Sequence, residues 1–491
     1  MRKVFGYILA AAFLTLASCS KEQLAGEGTA LQSGEPRIIT LSFNPSTKTT
    51  PGGTDGRSPE FVPGDIIRLS NSTSWEERAV NVSDGVATVS TFLGGELKVV
   101  YPAAAAATDA NGLITGIKVQ ASQSGRFRDA NICMTTIPAN ANSATLLNQT
   151  AVLRFYVDAS IGVKSVTVTS GGSNIANEGA HLKQITVDPA GNELISSVTD
   201  DPDRRLCYVA VLPGANTNAL TFTSETTTQG TVVHKPLRTS VTLAANGMYN
   251  AFIPYYIKMK VNDSPETYQK WGYCNVGAFL PEEAGRYFAW GETTGQVPNG
   301  TTFNPGFSWS NCPHTNGTYS DSNKAVFTRY TASNNAYAKS GTADGKTVLD
   351  LADDAAHVNW GDDWRMPTGG EGGEFGVLIN GNDKGWITYY GVKGRKFADI
   401  DNESNYVFFP AAGLGNGATY SQAGDGVRYW ASTLATTSNP SQAFGLGCGG
   451  TAYDINPVNE PYNRCLGRTI RPIYIQDVGS GFDTYTDEGN I

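Results

Sequence analysis

The sequence predicts a mostly β chain, two β-sandwiches followed by an α+β unit, and three observations carry that reading. Short β-branched or alternating runs recur from Ile38 to Leu243, separated by Gly, Pro and Asn turns, with no sustained helical period. Composition shifts after about residue 256: seven of the eight tryptophans lie beyond Lys270, with most of the Asn-Gly-rich loops. The two best helix patterns, Lys346 to Val358 and Glu374 to Ile379, also fall in that later part. The expected organisation is a first sandwich over 37–145, a second over 146–255, a linker over 256–270, an α+β unit over 271–478 and a polar tail over 479–491.

The first element is a processing signal. Arg2 and Lys3 precede an apolar run from Val4 to Leu16, which is too short to span ~30 Å of hydrocarbon as a helix. It ends in Leu16-Ala17-Ser18-Cys19, which looks like a lipobox: an aliphatic residue, two small ones and a thiol that receives lipid. Residues 1–19 are thus read as a lipoprotein signal peptide and Cys19 as the lipidated N-terminus. Ser20, in place of an Asp that would favour inner-membrane retention, points to the outer membrane. Residues 20–36 are small and polar and read as a tether. No second apolar run approaches 18 residues, and the net charge of -9 without a Lys/Arg stripe excludes a nucleic-acid-binding surface.

The folded part begins with Ile38 to Phe43, a strand pattern leading into the Gly/Pro loop Thr50 to Arg57. Further strand runs are Asp65 to Leu69, Leu97 to Tyr101, Ala151 to Val157, Val163 to Thr169, Leu206 to Leu212, Ala219 to Thr223 and Ser240 to Leu243. In the Lys346 to Val358 pattern, Val348, Leu351, Ala352, Ala355 and Ala356 share a helical face. Besides Cys19 there are six cysteines: Cys133 and Cys207 before residue 250, and Cys274, Cys312, Cys448 and Cys465 after it. In an exported chain these are disulfide candidates, with Cys448 and Cys465, closest in sequence, the preferred pair and the other pairings open. His181, His234, His314 and His357 are scattered without metal-ligand or triad spacing, so no catalytic residue, metal or cofactor is expected.

Two resemblances cover nearly all of the mature chain. Phe61-Val62-Pro63-Gly64-Asp65-Ile66-Ile67, Val99-Val100-Tyr101-Pro102, Leu147 to Val157, Val163 to Val168, Tyr208 to Gly214 and Gly247-Met248-Tyr249 resemble, in order and spacing, the fimbrillin-like lipoproteins of Bacteroidetes. Their fold implies two transthyretin-like β-sandwiches. In the later part, Trp271 to Ala278, Pro281-Glu282-Glu283, Tyr287 to Thr294, Asp353 to Ala356, Trp364 to Thr368, Phe409 to Gly413, Tyr429 to Ser432 and Thr469 to Pro472 are similar to the Fibrobacter and Bacteroidetes major paralogous domain, which implies a C-type-lectin-like fold. Relatives of that domain often pair the cysteine of the Asn-Val-Gly-Ala block with one after the Arg-Met-Pro-Thr helix. Here Asn380 stands there, and the resemblance offers Cys312 as an alternative partner for Cys274. Within the blocks, Trp290, Trp360, Trp364 and Trp430 read as scaffold, and Arg365 and Arg471 as partners of carboxylates such as Glu292 or Asp363.

Weaker signals concern a ligand. Glu460-Pro461-Tyr462-Asn463 is an interrupted form of the Glu-Pro-Asn triplet of calcium lectins, and Asp399, Asp401 and Glu403 alternate in a loop. Both are equally the marks of a solvated surface. Trp309, Tyr319 and Tyr420 are candidates for stacking on sugars or for the core. A catalytic relative of formylglycine-generating enzyme would need a reactive thiol pair at Cys448 and Cys465, which their surroundings do not indicate.

The resemblance implies assembly by strand addition: surface proteolysis removes a leading strand and another subunit fills the groove. A cut after Arg57 would free Ile38 to Phe43, whereas a cut after Arg37 would leave that strand in place, which makes Arg57 the better site and Arg37 the alternative. A lectin-like end with a polar tail is a poor strand donor, which fits a fimbrial tip or tip-like adhesin. Its expected partners are other fimbrial subunits, a host or bacterial glycan or protein, and the outer membrane through the lipid. The alternative is a non-polymerising surface lipoprotein that binds glycans for nutrient capture.

Overall fold

Alternating side chains build the first sheet. The computed structural model describes residues 35–43, 60–158, 161–178, 182–188, 193–194, 204–227, 230–234, 241–251, 253, 255–321, 324–435, 438–449 and 457–475. Its first eight strands of interest are β1 (Arg37–Phe43), β2 (Ile66–Ser70), β3 (Trp75–Ala79), β4 (Asn81–Ser83), β5 (Val86–Thr91), β6 (Leu97–Tyr101), β7 (Cys133–Ile137) and β8 (Ser143–Asn148). They form one eight-stranded sheet in the order β3-β2-β6-β7-β8-β1-β5-β4. Every second residue points inward, so Ile39, Leu41, Ile67, Leu69, Val89, Val99 and Leu146 form a single core. Glu76 on β3 accepts a hydrogen bond from Thr91 on β5, so the sheet curls until strands near its two ends touch.

The second unit has two sheets. Strand β9 (Ala151–Asp158) runs antiparallel to β10 (Arg204–Val211) along its whole length and parallel to β11 (Met248–Asn250) on its other side. The opposing five-stranded sheet runs Gly230–His234, Leu220–Thr226, Val163–Ser170, Gln184–Val187 and Ser122–Gln123. Phe155 and Phe222 meet edge-to-face between the sheets at 6.0 Å, inside a common core with Val168 and Val209. The segment leading to β7 also packs here, for helix α1 (Phe127–Ala130) sets the Phe127 ring 5.0 Å from Tyr208. Because β8 still belongs to the first sheet, the boundary falls at 149–150, a few residues past the expected 146.

The expected linker over 256–270 is instead a hairpin. Strands β12 (Tyr256–Asp263) and β13 (Glu266–Gly272) pair with each other and join a sheet with Ile473–Tyr474 and Trp364–Arg365. Met259 and Val261, on one face, are buried, so the segment is core-forming and cannot be a spacer. The core continues without a break from the second unit into this one, with Tyr156 and Phe279 in ring contact at 5.5 Å. The expected helix over 346–358 shortens to α2 (Ala355–Trp360) after a 3-10 turn, while the second expected helix is α3 (Glu374–Asn382). Two three-stranded sheets complete the unit: β14 (Asp383–Tyr389), β15 (Val392–Ala398) and β16 (Tyr406–Pro410); then β17 (Gly426–Leu434), β18 (Gln442–Gly449) and β19 (Val458–Asn463). The described chain is thus mostly β, and none of its helices is long and apolar enough to cross a membrane.

Candidate functional site

Strand β1 lies inside the first sheet, hydrogen-bonded on both sides. Thr40 to Phe43 run parallel to Ser143 to Leu146 of β8, and Arg37 to Leu41 run antiparallel to Thr91 to Ala87 of β5. Without β1, strands β8 and β5 would face each other across two strand spacings, roughly 10 Å, which is a slot for one strand. The side chains that fill it are Ile39 and Leu41, both almost fully buried, and Phe43, which is half-buried. Their burial contributes roughly 5 kcal/mol. Phe43 stacks on Phe61 at 4.2 Å, and both rings meet Tyr101 edge-on at 5.3 and 5.2 Å. Phe61 is held by the turn that follows it: Gly64 takes a φ of 90°, and Asp65 accepts from the Val62 N–H at 2.9 Å and pairs with Arg128. The Phe61 and Tyr101 strings of the sequence therefore converge on the end of β1.

Arg37 clamps the other end. Its guanidinium donates to the carbonyls of Gly95 at 3.0 Å, Pro138 at 2.7 Å and Ala141. Inside a strand and with its side chain engaged, Arg37 is badly placed for a protease, which requires an extended, accessible segment. Cys19 and Arg57 lie outside the described residues, as do the signal peptide, most of the tether and the polar tail.

The disulfide expectation is corrected. Cys133, Cys207, Cys274, Cys312, Cys448 and Cys465 are all buried, and none of them is joined in a disulfide among the described residues. Cys448 pairs with Val427 on β17, whereas Cys465 lies beyond Asn463, which is opposite Gln442 at the other end of β18. Six residues of strand separate those ends, about 20 Å, well past the reach of a disulfide. The Cys274 thiol donates to the Ala278 carbonyl at 3.3 Å in a pocket with Arg471, while Cys312 lies near Arg464 and Cys465. Cys133 sits on β7 of the first unit and donates to Asn131, and Cys207 is opposite Phe155 in the second. Burial pushes the Cys312 and Cys465 thiols up to about 12, and Cys133 and Cys274 up as well, so these cysteines serve as small core residues.

The arginines of the C-terminal unit also find other partners than expected. Arg471, fully buried, meets no carboxylate among the described residues; it donates to Asn275 Oδ1 at 2.9 Å and to the carbonyls of Gly272, Tyr273 and Phe408 at 3.0, 2.6 and 2.7 Å. Four oxygens from two stretches of chain, 272–275 and Phe408, share one guanidinium, and burial lowers its pKa. Arg365 pairs with Glu374 on α3, not with Glu292 or Asp363. Burial alone would raise the Glu374 carboxyl, but Arg365 and bonds from Thr368 hold it below its usual range. Trp290 and Trp430 brace the same unit, the indole of each donating to a carbonyl close to the other in sequence: Trp290 to that of Ala431 at 2.8 Å and Trp430 to that of Phe288 at 2.9 Å. Elsewhere burial pulls His314 below its ordinary value, against the charge of Asp353.

The ligand signals resolve into structure. Asp399 accepts from the Lys260 N–H at 2.7 Å and the Asp401 N–H at 2.8 Å, Asp401 pairs with Lys260 at 2.8 Å, and Glu403 pairs with Lys384 at 3.2 Å. Those carboxylates pin a loop and do not converge as calcium ligands. Among the described residues no three His, Cys, Asp or Glu side chains converge to hold a metal ion. Glu460 to Asn463 belong to β19, with the Tyr462 ring 3.4 Å from the Arg468 guanidinium carbon. Trp309 packs near Phe327, and Tyr420 bonds to Tyr287 and Ala412 in a small core. Tyr319 lies on the strand Thr315–Asp321, and its side chain falls outside the described residues.

No protein-family model matches the chain, and no curated protein matches it. Solved structures match about half of it. A candidate cell adhesion protein from Bacteroides ovatus aligns at 14% identity and a TM-score of 0.27, covering 49% of this chain and 96% of its own. A second candidate cell adhesion protein, from Bacteroides uniformis, aligns at 11% and 0.27, covering 45% and 93%. The tip fimbrial protein Mfa3 from Porphyromonas gingivalis, C-terminally truncated, aligns at 6% and 0.20, covering 41% and 82%. The chain is similar in part to these surface proteins, at scores below those of a shared fold.

Proposed function

We propose that this protein is a cell-surface adhesin, delivered to the outer membrane as a lipoprotein on Cys19 and built into a fimbrium as a tip or tip-like subunit by strand exchange. In this reading the first two units are fimbrillin-like, transthyretin-like sandwiches, and the C-terminal unit is a C-type-lectin-like domain that meets a glycan or protein ligand; no catalytic role is assigned. The supporting observation is β1: a single strand, first among the described ones, that separates β8 from β5 and whose loss would open a slot one strand wide. The loop to be cut, with Arg57, follows β1 in sequence and precedes Phe61. After β11 the chain passes within a few residues into β12, which is built into the next sheet, so the second unit keeps no trailing strand to donate. An acceptor of that kind belongs at the end of a polymer.

The clamp at Arg37 favours a second reading, in which β1 stays in place and the protein remains a monomeric surface lipoprotein that captures glycans. Digestion with an arginine-specific protease separates the two. Cut wild-type protein releases Arg37–Phe43 and takes up a synthetic β1 peptide from solution, while Arg57→Ala stays whole and takes up none. Cut protein that retains its own strand and refuses the peptide would overturn the strand-exchange reading.

A further inference from the structure

The outer face of β14, β15 and β16 carries a step of aromatic rings, half-buried Tyr389 and Tyr406 over buried Phe408. In this antiparallel sheet Trp386 stands opposite Arg395, Arg395 opposite Phe409, and Phe397 opposite Val407. Phe397, Val407 and Phe409 are fully buried, which fixes that side as inward. Alternation then puts Tyr389, Lys396, Tyr406 and Phe408 on the other face. The Tyr389 ring lies 4.6 Å from Tyr390 at 85°, 6.3 Å from Tyr406 at 89°, and 5.1 Å from Phe408, tilted by 40°. Phe408 is the floor of this step. Its ring crosses Gly394, where a Cβ would come within 2.5 Å of it.

Tyr390 stands at a turn position that disfavours its side chain. Tyr389 pairs with Val392, so Tyr390 and Gly391 form a two-residue hairpin turn, with φ of 47° and 79°. Left-handed backbone at both positions favours Asn or Asp followed by Gly, and a bulky side chain at the first is strained. Burial gives little in return, because Tyr390 is 43% exposed. A strained, exposed aromatic next to a second ring has the form of a contact site.

We propose that this step binds a carboxylate-bearing pyranose, a uronic or sialic acid unit, with the sugar's C–H face against Tyr389 and Tyr390 and its carboxylate toward Lys396. The proposal rests on the reading of the C-terminal unit as the binding end. Tyr390 meets Tyr389 edge-to-face, and Tyr406 stands perpendicular on its other side, so the rings form a stepped corner that suits a single six-membered sugar better than a flat protein surface. Charge selects the class of sugar. The Lys396 ammonium stands 4.6 Å over the Tyr406 ring and has no carboxylate partner among the described residues, in a chain of net charge -9. By contrast the neighbouring Lys384 is already paired with Glu403.

The test is calorimetric titration of the full chain with 3′-sialyllactose, a glucuronic acid-terminated disaccharide and lactose, using wild type, Tyr390→Asn and Lys396→Gln. Wild type binds at least one acidic sugar and binds lactose at least tenfold more weakly. Tyr390→Asn lowers that affinity tenfold or more while its melting temperature stays level or rises, because Asn suits the turn. Lys396→Gln removes the preference for the acidic sugar and leaves the residual affinity at the lactose level. Wild-type binding that Tyr390→Asn leaves unchanged overturns the platform and leaves the adhesin reading standing. No binding of either acidic sugar by wild type also overturns it. So does a shift in oligomeric state on Tyr390→Asn without change in sugar binding, which would make the face a contact between copies.

Discussion

The first unit and the C-terminal unit are both β-rich, yet they are closed in different ways. In the first, closure depends on one strand: β1 joins β8 to β5 through main-chain hydrogen bonds and contributes three apolar side chains to the core. In the C-terminal unit, closure comes from side chains that reach distant main chain. Arg471 ties β13, the following turn and β16 together, and Trp290 and Trp430 exchange indole bonds. A sheet closed by one strand can be opened by removing it and closed again by any chain with the same alternation. A unit closed by many side chains has no equivalent part to exchange. On the proposed reading, assembly would use the front of the molecule and ligand binding the back.

The largest effect that would sharpen this contrast is at Arg471. Arg471→Met leaves four buried acceptors without their donor and is expected to cost about 4 kcal/mol or more. Urea unfolding followed by tryptophan fluorescence reads it, since seven of the eight tryptophans lie beyond Lys270. The expected loss is confined to that fluorescence transition, and hydrogen exchange of the first sheet stays unchanged. A smaller effect runs the other way. Leu41→Ala is expected to cost about 3 kcal/mol, seen as faster exchange of β5 and β8 amides with the tryptophan transition unmoved. If both transitions moved together, the two units would not be closed independently.

The smallest of these effects depends on pH. Because Arg365 and Thr368 hold the folded Glu374 carboxyl below its unfolded value of 4.5, its stabilisation is fully present above about pH 4.5 and is lost as pH falls through the lower folded value. Glu374→Gln is expected to cost about 2 kcal/mol at pH 7 and to reduce the acid-induced loss in the C-terminal unit. Equal acid sensitivity in both proteins would assign that loss to other groups.

The strand that matters most was legible in the sequence. Ile38-Ile39-Thr40-Leu41-Ser42-Phe43 alternates and folds as β1, with Arg37 added at its start. The hairpin over 256–272 is legible in principle, since Ile257, Met259 and Val261 alternate with lysines, but the stretch lies at a composition boundary, which favours a spacer. The helix pattern from Lys346 failed for a tertiary reason. Leu349 N–H and Thr347 C=O are bonded to Ser432 and Leu434, which keeps that stretch extended, and Asp354 starts the helix by accepting from Ala356 and His357 at 2.9 and 3.0 Å. The cysteine and arginine partners were hidden for a different reason. An exported chain with six cysteines reads as disulfide-bonded, but whether two thiols meet depends on strand register, as the distance along β18 shows. Arg471 answers to carbonyls, which every residue has, so no sequence pattern marks them. For the aromatic face the available signal was Tyr389-Tyr390-Gly391, a two-residue turn with a bulky residue where Asn is expected.

The central claim is that β1 is a removable part. The most direct test is mass spectrometry of the protein extracted from the cell surface, which reports its N-terminus and any lipid together. The account predicts a chain beginning after Arg57, without Arg37–Phe43 and without the lipid on Cys19. A surface protein that begins at lipidated Cys19 and still contains β1 would contradict it.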